Sequence, residues 1–262
     1  MIFIHLRNFS NIQNEHTGST SSPTSFCFVM KEQSVIDNCV NKANIYAVSS
    51  TIAPFCYQMF ETCTISNCTN YGDIYSEKGS AYGIVAFVER GYSYVKPGCI
   101  LNCNNYGTIS ATNMATGIAG SCYGILKNCS NHGVLKNIGD KESGRSLYGI
   151  ISYIDGEISD CKNTVSLTSN VHAAGIVGGV SGIMTRCNNS GNINADYCAG
   201  GIIGVQSDQA TISDCYNTGN IEGGTYAGGI VGHASTSFSC PVIVSCVNKG
   251  KITTAAGQAG GI

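Results

Sequence analysis

Charged residues, tryptophan and proline are all scarce in this chain. Only 11% of its 262 residues are Asp, Glu, Lys or Arg, tryptophan is absent, and there are 4 prolines. The net charge of -2 leaves no basic surface of the kind that nucleic acids require. No apolar run approaches the roughly 18 residues of a membrane-spanning helix. The sequence therefore predicts neither a nucleic-acid partner nor a membrane span.

Common metal and targeting motifs are also missing. There is no C-x-x-C, and the closest cysteine pair, Cys99 and Cys103, has no histidine beside it. We therefore expect no metal and no cofactor. The N-terminus does not form a convincing signal peptide, because His5 and Arg7 interrupt its short apolar stretch.

Glycine and cysteine are plentiful instead, with 33 and 15 residues. An odd number of cysteines leaves at least one thiol unpaired within a monomer. Short stretches rich in Ile and Val alternate with Gly, Asn and Ser, which is typical of many short strands joined by tight turns.

A phrase of about 30 residues, best seen as "ISDCYNTGNI" followed by "GGIVG", recurs along the chain. Each copy carries a cysteine at the same place. The eight cysteines are Cys39, Cys68, Cys103, Cys129, Cys161, Cys187, Cys215 and Cys246.

An asparagine always follows two residues after this cysteine, and an Ile or Leu follows six residues after it. The position four residues after the cysteine is Gly in six copies. The eight asparagines are Asn41, Asn70, Asn105, Asn131, Asn163, Asn189, Asn217 and Asn248.

Such a unit is too small to bury its own apolar side chains, whereas stacked units bury each other's. The repeat therefore predicts an all-β fold, a parallel β-solenoid of about eight coils of about 30 residues, with a right-handed path. We expect residues 1–33 to form an irregular N-terminal arm or cap and residues 34–262 to form the solenoid. The chain stops inside a repeat, which predicts an uncapped C-terminal end that further repeats or a partner would cover.

Stacking places the equivalent residues of successive repeats one above the other, in columns. We expect the column cysteines to be free, buried and unreactive, because in-register parallel strands hold their Cβ atoms too far apart for a disulfide. We expect the asparagine amides to hydrogen-bond from turn to turn. The glycine after them should supply a positive φ at a tight turn. The sequence does not fix the state of the other cysteines, Cys27, Cys56, Cys63, Cys99, Cys122, Cys198 and Cys240.

One set of charged residues stands out. Asp160, Arg186 and Asp214 precede the cysteine in three consecutive copies. Two carboxylates flanking an arginine could perform acid/base chemistry on a sugar chain. The simpler interpretation, which we favour, is a surface ion ladder that stabilises weakly.

Two other features have a functional and a structural interpretation. Tyr71 and Tyr106 follow the column asparagine and could form a sugar-binding stripe, although cross-strand stabilisation is the commoner role. The charged insertion from Lys136 to Ser146 could be a recognition loop, although a tolerated solvent loop is favoured.

The alternation of "GGIVG" with "ISDCYNTGNI" resembles the GLUG-motif repeats of large bacterial and protist surface or secreted proteins. The resemblance covers about residues 35–262 and implies a stalk, spacer or adhesive surface. Some relatives accompany peptidases, but no H-E-x-x-H is present here to carry that activity.

We therefore expect a non-enzymatic structural or adhesive segment of a cell-surface or secreted protein, located outside the cell, with a protein or carbohydrate ligand. The alternatives are a carbohydrate-active enzyme using Asp160, Arg186 and Asp214, and a carbohydrate-binding scaffold.

Overall fold

A computed structural model describes residues 26–90, 96–139, 146–206, 209–234 and 241–262, together with the backbone of residues 3–4, 7–8 and 12–14. The described residues form short strands joined by turns. None of them belongs to a helix long and apolar enough to cross a membrane.

Strands follow one another in a repeating order. We number turns 1 to 8 by the column cysteine that each contains, from Cys39 to Cys246. Before turn 1 the strands are β1 (Phe3–Ile4), β2 (Arg7–Asn8), β3 (Ile12–Asn14) and β4 (Cys27–Met30). Turns 1 and 2 contain β5 (Val35–Asp37), β6 (Val40–Asn41), β7 (Ile45–Ala47), β8 (Cys56–Met59), β9 (Thr64–Ser66), β10 (Thr69–Asn70), β11 (Ile74–Ser76), β12 (Ala81–Tyr82) and β13 (Val85–Val88).

Turns 3 and 4 contain β14 (Gly98–Leu101), β15 (Asn104–Asn105), β16 (Ile109–Ala111), β17 (Met114–Thr116), β18 (Ala119–Cys122), β19 (Gly124–Lys127), β20 (Ser130–Asn131), β21 (Leu135–Asn137) and β22 (Ser146–Tyr148). Two long strands, β23 (Ile151–Ser159) and β27 (Val177–Thr185), follow, and each of them forms the last part of one turn and the first part of the next. Turns 5 and 6 contain β23 (Ile151–Ser159), β24 (Lys162–Asn163), β25 (Leu167–Ser169), β26 (His172–Ala174), β27 (Val177–Thr185), β28 (Asn188–Asn189), β29 (Ile193–Ala195), β30 (Cys198–Gly200) and β31 (Ile203–Gln206). Turns 7 and 8 contain β32 (Ala210–Ser213), β33 (Tyr216–Asn217), β34 (Ile221–Gly223), β35 (Tyr226–Gly228), β36 (Val231–Ala234), β37 (Val242–Val244), β38 (Val247–Asn248), β39 (Ile252–Thr254) and β40 (Gln258–Gly260).

Equivalent strands of successive turns pair in parallel and form sheets of 15, 9, 7, 5 and 4 strands. The register keeps equal repeat positions opposite each other, as Asn70 opposite Asn105 and Ile74 opposite Ile109 illustrate. The chain is therefore a parallel β-solenoid of about seven complete turns with a partial turn at each end, which confirms the predicted fold class.

The described parts of residues 1–33 contain paired strands. Strands β1, β2 and β3 pair with β5, β6 and β7, and β4 pairs with β8. The backbone register sets Asn8 opposite Asn41 and Ile12 opposite Ile45. The described parts of this segment thus add strands to the stack. The sequence hid this copy because it has Leu6, not cysteine, two residues before Asn8.

The sharp corner in each turn lies immediately before the column cysteine. The corner residues have φ between 51° and 57° and are Asn38, Asn67, Asn102, Asn128, Asp160, Arg186, Asp214 and Ser245. Asn and Asp tolerate this left-handed conformation better than other non-glycine residues, which explains why they hold six of the eight corners.

The glycine four residues after the cysteine does not supply the positive φ predicted for it. Among the described glycines only Gly156 and Gly182 have positive φ. At Gly133 the constraint is space, because a Cβ atom there would lie 2.0 Å from the carbonyl oxygen of Gly107 in the preceding turn. The repeat needs glycine here because the backbones of successive turns approach closely.

The described residues form three buried apolar clusters, of which two are large and the third contains only Ala53, Tyr82 and Ala86. The largest one combines the column cysteines with aliphatic side chains of the 15-stranded sheet, such as Ile100 in β14 and Val85 in β13. The second one includes Ile109 and Ala115, from the facing five- and seven-stranded sheets. Seven column asparagines, from Asn41 to Asn217, are fully buried.

Candidate functional site

The eight column cysteines stack in the interior as free thiols. Seven are buried, and Cys246 in turn 8 is half-buried. Each Sγ donates to the carbonyl oxygen two residues earlier at 3.1–3.5 Å. Five of them also contact a carbonyl oxygen of the preceding turn at 3.8–3.9 Å. The thiols therefore pack as small apolar groups with weak hydrogen bonds.

Burial makes two of these thiols poor nucleophiles. It raises the pKa of the Cys103 and Cys161 thiols because the apolar interior disfavours a thiolate. Burial likewise raises the pKa of Cys198, outside the column, to about 12.

The cysteines outside the column differ among themselves. Six of the seven are described, all as free thiols, and Cys240 lies outside the described residues. Cys27 is opposite Cys56 in the first turns and is only half-buried. A hydrogen bond from the Cys56 thiol lowers the pKa of Cys27 to about 6.

The column asparagines form a continuous amide ladder. In turns 1 to 7 each Nδ2 donates to the Oδ1 of the next asparagine at 2.7–3.2 Å. The same Nδ2 also donates to a carbonyl oxygen two residues later in its own turn, as from Asn105 to Gly107 at 3.0 Å. Buried amides thus satisfy one another, and each holds the next turn in register.

The charged corner residues form a surface ion pair. Arg186 Nε and Nη2 donate to Asp160 Oδ1 and Oδ2 at 2.7 and 2.9 Å, with side chains 56% and 33% exposed. This bidentate contact lowers the pKa of Asp160. Asp214 continues the same column at an exposed corner and adds a favourable Coulombic interaction with Arg186.

Asp160, Arg186 and Asp214 line none of the three best-formed clefts among the described residues. An acid/base pair acting on a polymer needs room for the scissile bond between the two groups. Here Asp160 is engaged by Arg186 on an open corner. The geometry favours the ion-ladder interpretation of this column.

The exposed tyrosines stack on each other along the axis. Tyr71, Tyr106 and His132 lie one above the other, with ring centroids 5.2 and 4.9 Å apart and interplanar angles of 12° and 17°. Both faces of Tyr106 are therefore covered by protein. A sugar stacks on an open ring face, so this column favours cross-strand stabilisation over a sugar-binding stripe.

A cleft of about 480 Å³ lies on the outer face of the four-stranded sheet formed by β25, β29, β34 and β39. Asparagine, serine and threonine side chains from turns 5 to 8 line it, with Glu222 and Lys251 as its two charged residues. Sequence reasoning missed this cleft because its residues vary from turn to turn.

The described residues contain no group of three or more His, Cys, Asp or Glu side chains placed to hold a metal ion. The charged insertion predicted as a loop lies partly outside the described residues, at 140–145. Among the described strands, β21, which precedes the insertion, pairs only with β16, so the sheet is interrupted before β25. The insertion therefore coincides with the division of this wall into five- and four-stranded sheets.

Stacked repeats, in-register columns and corners of one conformation define the chain as a repeat protein of the parallel β-solenoid class. Residues 195–222 match the family model of the GLUG motif, which confirms the resemblance inferred from the repeat. The match begins at the end of β29, passes through β30 to β33 and ends in β34, so it contains the corner at Asp214, Cys215 and Asn217. No curated protein and no solved structure matched the chain.

Proposed function

We propose that this chain is a non-enzymatic structural and adhesive repeat segment of a cell-surface or secreted protein. The observation that carries the proposal is the amide ladder, which continues without interruption from Asn41 to Asn248 and fixes every turn to the next. Such a stack serves as a stiff spacer whose outer columns can vary without disturbing the interior. The GLUG match adds support, because the repeats that it resembles occur in surface and secreted proteins.

The location is tested by labelling intact and permeabilised cells of the source organism with an antibody raised against the folded solenoid. We expect labelling of intact cells, or recovery of the protein from the medium. Labelling that requires permeabilisation would overturn the proposed location.

The absence of catalysis is tested with a panel of soluble polysaccharides, by measuring release of reducing ends and of unsaturated products. We expect no release above the background of Asp160→Asn and Asp214→Asn. Turnover by the natural chain that both variants lose would establish the carbohydrate-active enzyme instead.

A further inference from the structure

The cleft on the four-stranded sheet contains a row of hydrogen-bond donors. In this row Asn192 Oδ1 accepts the Asn220 backbone N–H at 2.9 Å, and Asn220 Oδ1 accepts the Lys251 N–H at 2.9 Å. These bonds fix both amide planes. Among the described residues neither Nδ2 group has an acceptor, so two oriented NH₂ groups from adjacent turns remain exposed in the cleft.

A second row, two residues further along each strand, offers acceptors. Asn194 Nδ2 donates to Glu222 Oε2 at 3.1 Å, which leaves Asn194 Oδ1 and Glu222 Oε1 as acceptors. The backbone at Ile193 and Ile221 forms the floor between the two rows. A row of donors therefore faces a row of acceptors across the cleft, and both rows repeat with the spacing of the turns, about 4.8 Å.

The charge of the cleft favours a neutral ligand. Glu222 and Lys251 are its only charged lining residues, and their charges cancel. An anionic polymer would meet one lysine and one carboxylate, so it gains no net attraction here.

The form of the cleft disfavours a peptide. Peptides are bound by adding a strand to a sheet edge, by apolar or aromatic grooves, or by arginine clusters. This cleft lies on a sheet face whose strands β29 and β34 are paired on both sides, and its outward side chains are polar. Sugar hydroxyls both donate and accept, so they match two facing rows of fixed donors and acceptors.

We propose that this cleft binds an extended, uncharged polysaccharide, whose successive sugars are held by successive turns from turn 5 to turn 8. The proposal rests on the proposed adhesive function and names its ligand class. The amide caps make the donor row pre-organised, so little conformational freedom is lost on binding.

The test is native affinity electrophoresis through gels that contain galactomannan, mixed-linkage β-glucan or hydroxyethyl cellulose, with polygalacturonate as the charged probe. The variant is Asn192→Ser combined with Asn220→Ser. Serine keeps the cap, since Ser166 Oγ already accepts the Asn192 N–H at 3.1 Å, and it replaces the NH₂ group by a single hydroxyl on a shorter side chain. The matched control is Asn44→Ser, which makes the same change in the same column at turn 1, where Asn44 Oδ1 accepts the Asp73 N–H at 2.8 Å.

We expect the natural chain to be retarded by at least one neutral polysaccharide and the double variant to bind it about tenfold more weakly or worse, because two NH₂ groups are replaced by hydroxyls on shorter side chains. Asn44→Ser should bind as the natural chain does. If the double variant loses its far-UV circular dichroism spectrum, Glu222→Gln and Asn194→Ala test the acceptor row at exposed or half-buried positions.

The proposal is overturned if no neutral polysaccharide retards the chain, if polygalacturonate alone does, or if the variants bind as tightly as the control. The labelling of intact cells is independent of these results. If intact cells are labelled but the protein is not retarded, only the glycan cleft is refuted. If the protein is retarded but labelling requires permeabilised cells, only the proposed location is refuted.

Discussion

Two asparagine ladders run along the same corner of turns 2 to 4, one inside the solenoid and one outside. Inside, Asn105 Nδ2 donates to Asn131 Oδ1 at 2.9 Å, and both side chains are fully buried. Outside, Asn128 Nδ2 donates to Asn102 Oδ1 at 2.8 Å on an exposed surface. The chemistry is the same in both ladders, and only the access of water differs.

The difference in burial decides which substitutions each ladder tolerates. Every described turn keeps asparagine inside, because a buried amide without its partners costs far more than an exposed one. Outside, the same column continues as Asp160, Arg186, Asp214 and Ser245. The interior ladder therefore maintains the fold, and the exterior ladder is where the surface can change.

The largest effect is expected from breaking the inner ladder. Asn105→Ala removes the acceptor of Asn70 Nδ2 and the donors to Asn131 Oδ1 and the Gly107 carbonyl. We expect a loss of about 3–5 kcal/mol in the free energy of unfolding, measured by urea denaturation. Asn102→Gly, which breaks the outer ladder and suits the left-handed corner, is the control, and a comparable loss there would remove the distinction between the ladders.

A smaller loss is expected where successive backbones approach beside the inner ladder. Gly133→Ala places a methyl group 2.0 Å from the Gly107 carbonyl oxygen, so the two turns must separate. We expect a loss of about 2–3 kcal/mol in the same denaturation experiment. Gly261→Ala, which has no atom within 4 Å of the added carbon, should leave the unfolding curve unchanged. Equal curves for both variants would mean that the turns have room to spare.

Cysteine reactivity extends the comparison to thiols. At pH 7 we expect iodoacetamide to modify Cys27 at least about tenfold faster than Cys99. Cys27 has a pKa lowered to about 6 by the Cys56 hydrogen bond, whereas burial raises that of Cys99. The Cys27 rate should fall as the pH drops through 6, because the thiolate is then protonated.

Mass mapping of the alkylated sites gives the rates, and Cys56→Ala, which removes the hydrogen bond, is the control. We expect the buried column cysteines to react only after denaturation. Rapid native modification of Cys103 or Cys161 would contradict the buried column.

The smallest effect is expected at the outer ion pair. The Arg186 contact lowers the pKa of Asp160, so its contribution to stability is present above the unfolded-state pKa and is lost as the pH falls through the lower folded-state value. In Arg186→Asn we expect the Asp160 pKa to rise toward its ordinary 3.8, followed by carboxyl NMR titration. An unchanged pKa would show that the pair does not persist in solution, and urea denaturation should barely distinguish the two chains.

The columns were predictable from the sequence because their chemistry repeats. Cysteine, asparagine and the apolar residue recur at fixed spacing, and parallel stacking turns spacing directly into contact. The same reasoning failed at the glycine after Asn105, where a spatial constraint was interpreted as a conformational one. It also failed at Asn8, because the search for copies depended on a cysteine.

The glycan cleft could not be predicted in this way. Asn192 and Asn220 share their column with Val134 and Lys251, so no pattern separates them from ordinary surface residues. Their donors become available only because each Oδ1 caps the next turn, which is a property of the stacked backbone. The interrupted sheet before β25 was likewise invisible without the pairing of the strands.

The inner amide ladder gives the molecule an electrical direction. All seven side-chain bonds point from an earlier turn to a later one, so their dipoles add along the axis and each bond polarises the next. Parallel strands alone do not produce this, because their backbone N–H groups donate in both directions along the axis. Ile45 donates to the carbonyl of Asp73 in the next turn, whereas Tyr71 donates to the carbonyl of Asn41 in the previous turn. The column of neutral amides therefore makes the two ends of the solenoid electrostatically different, in a chain with very few charges.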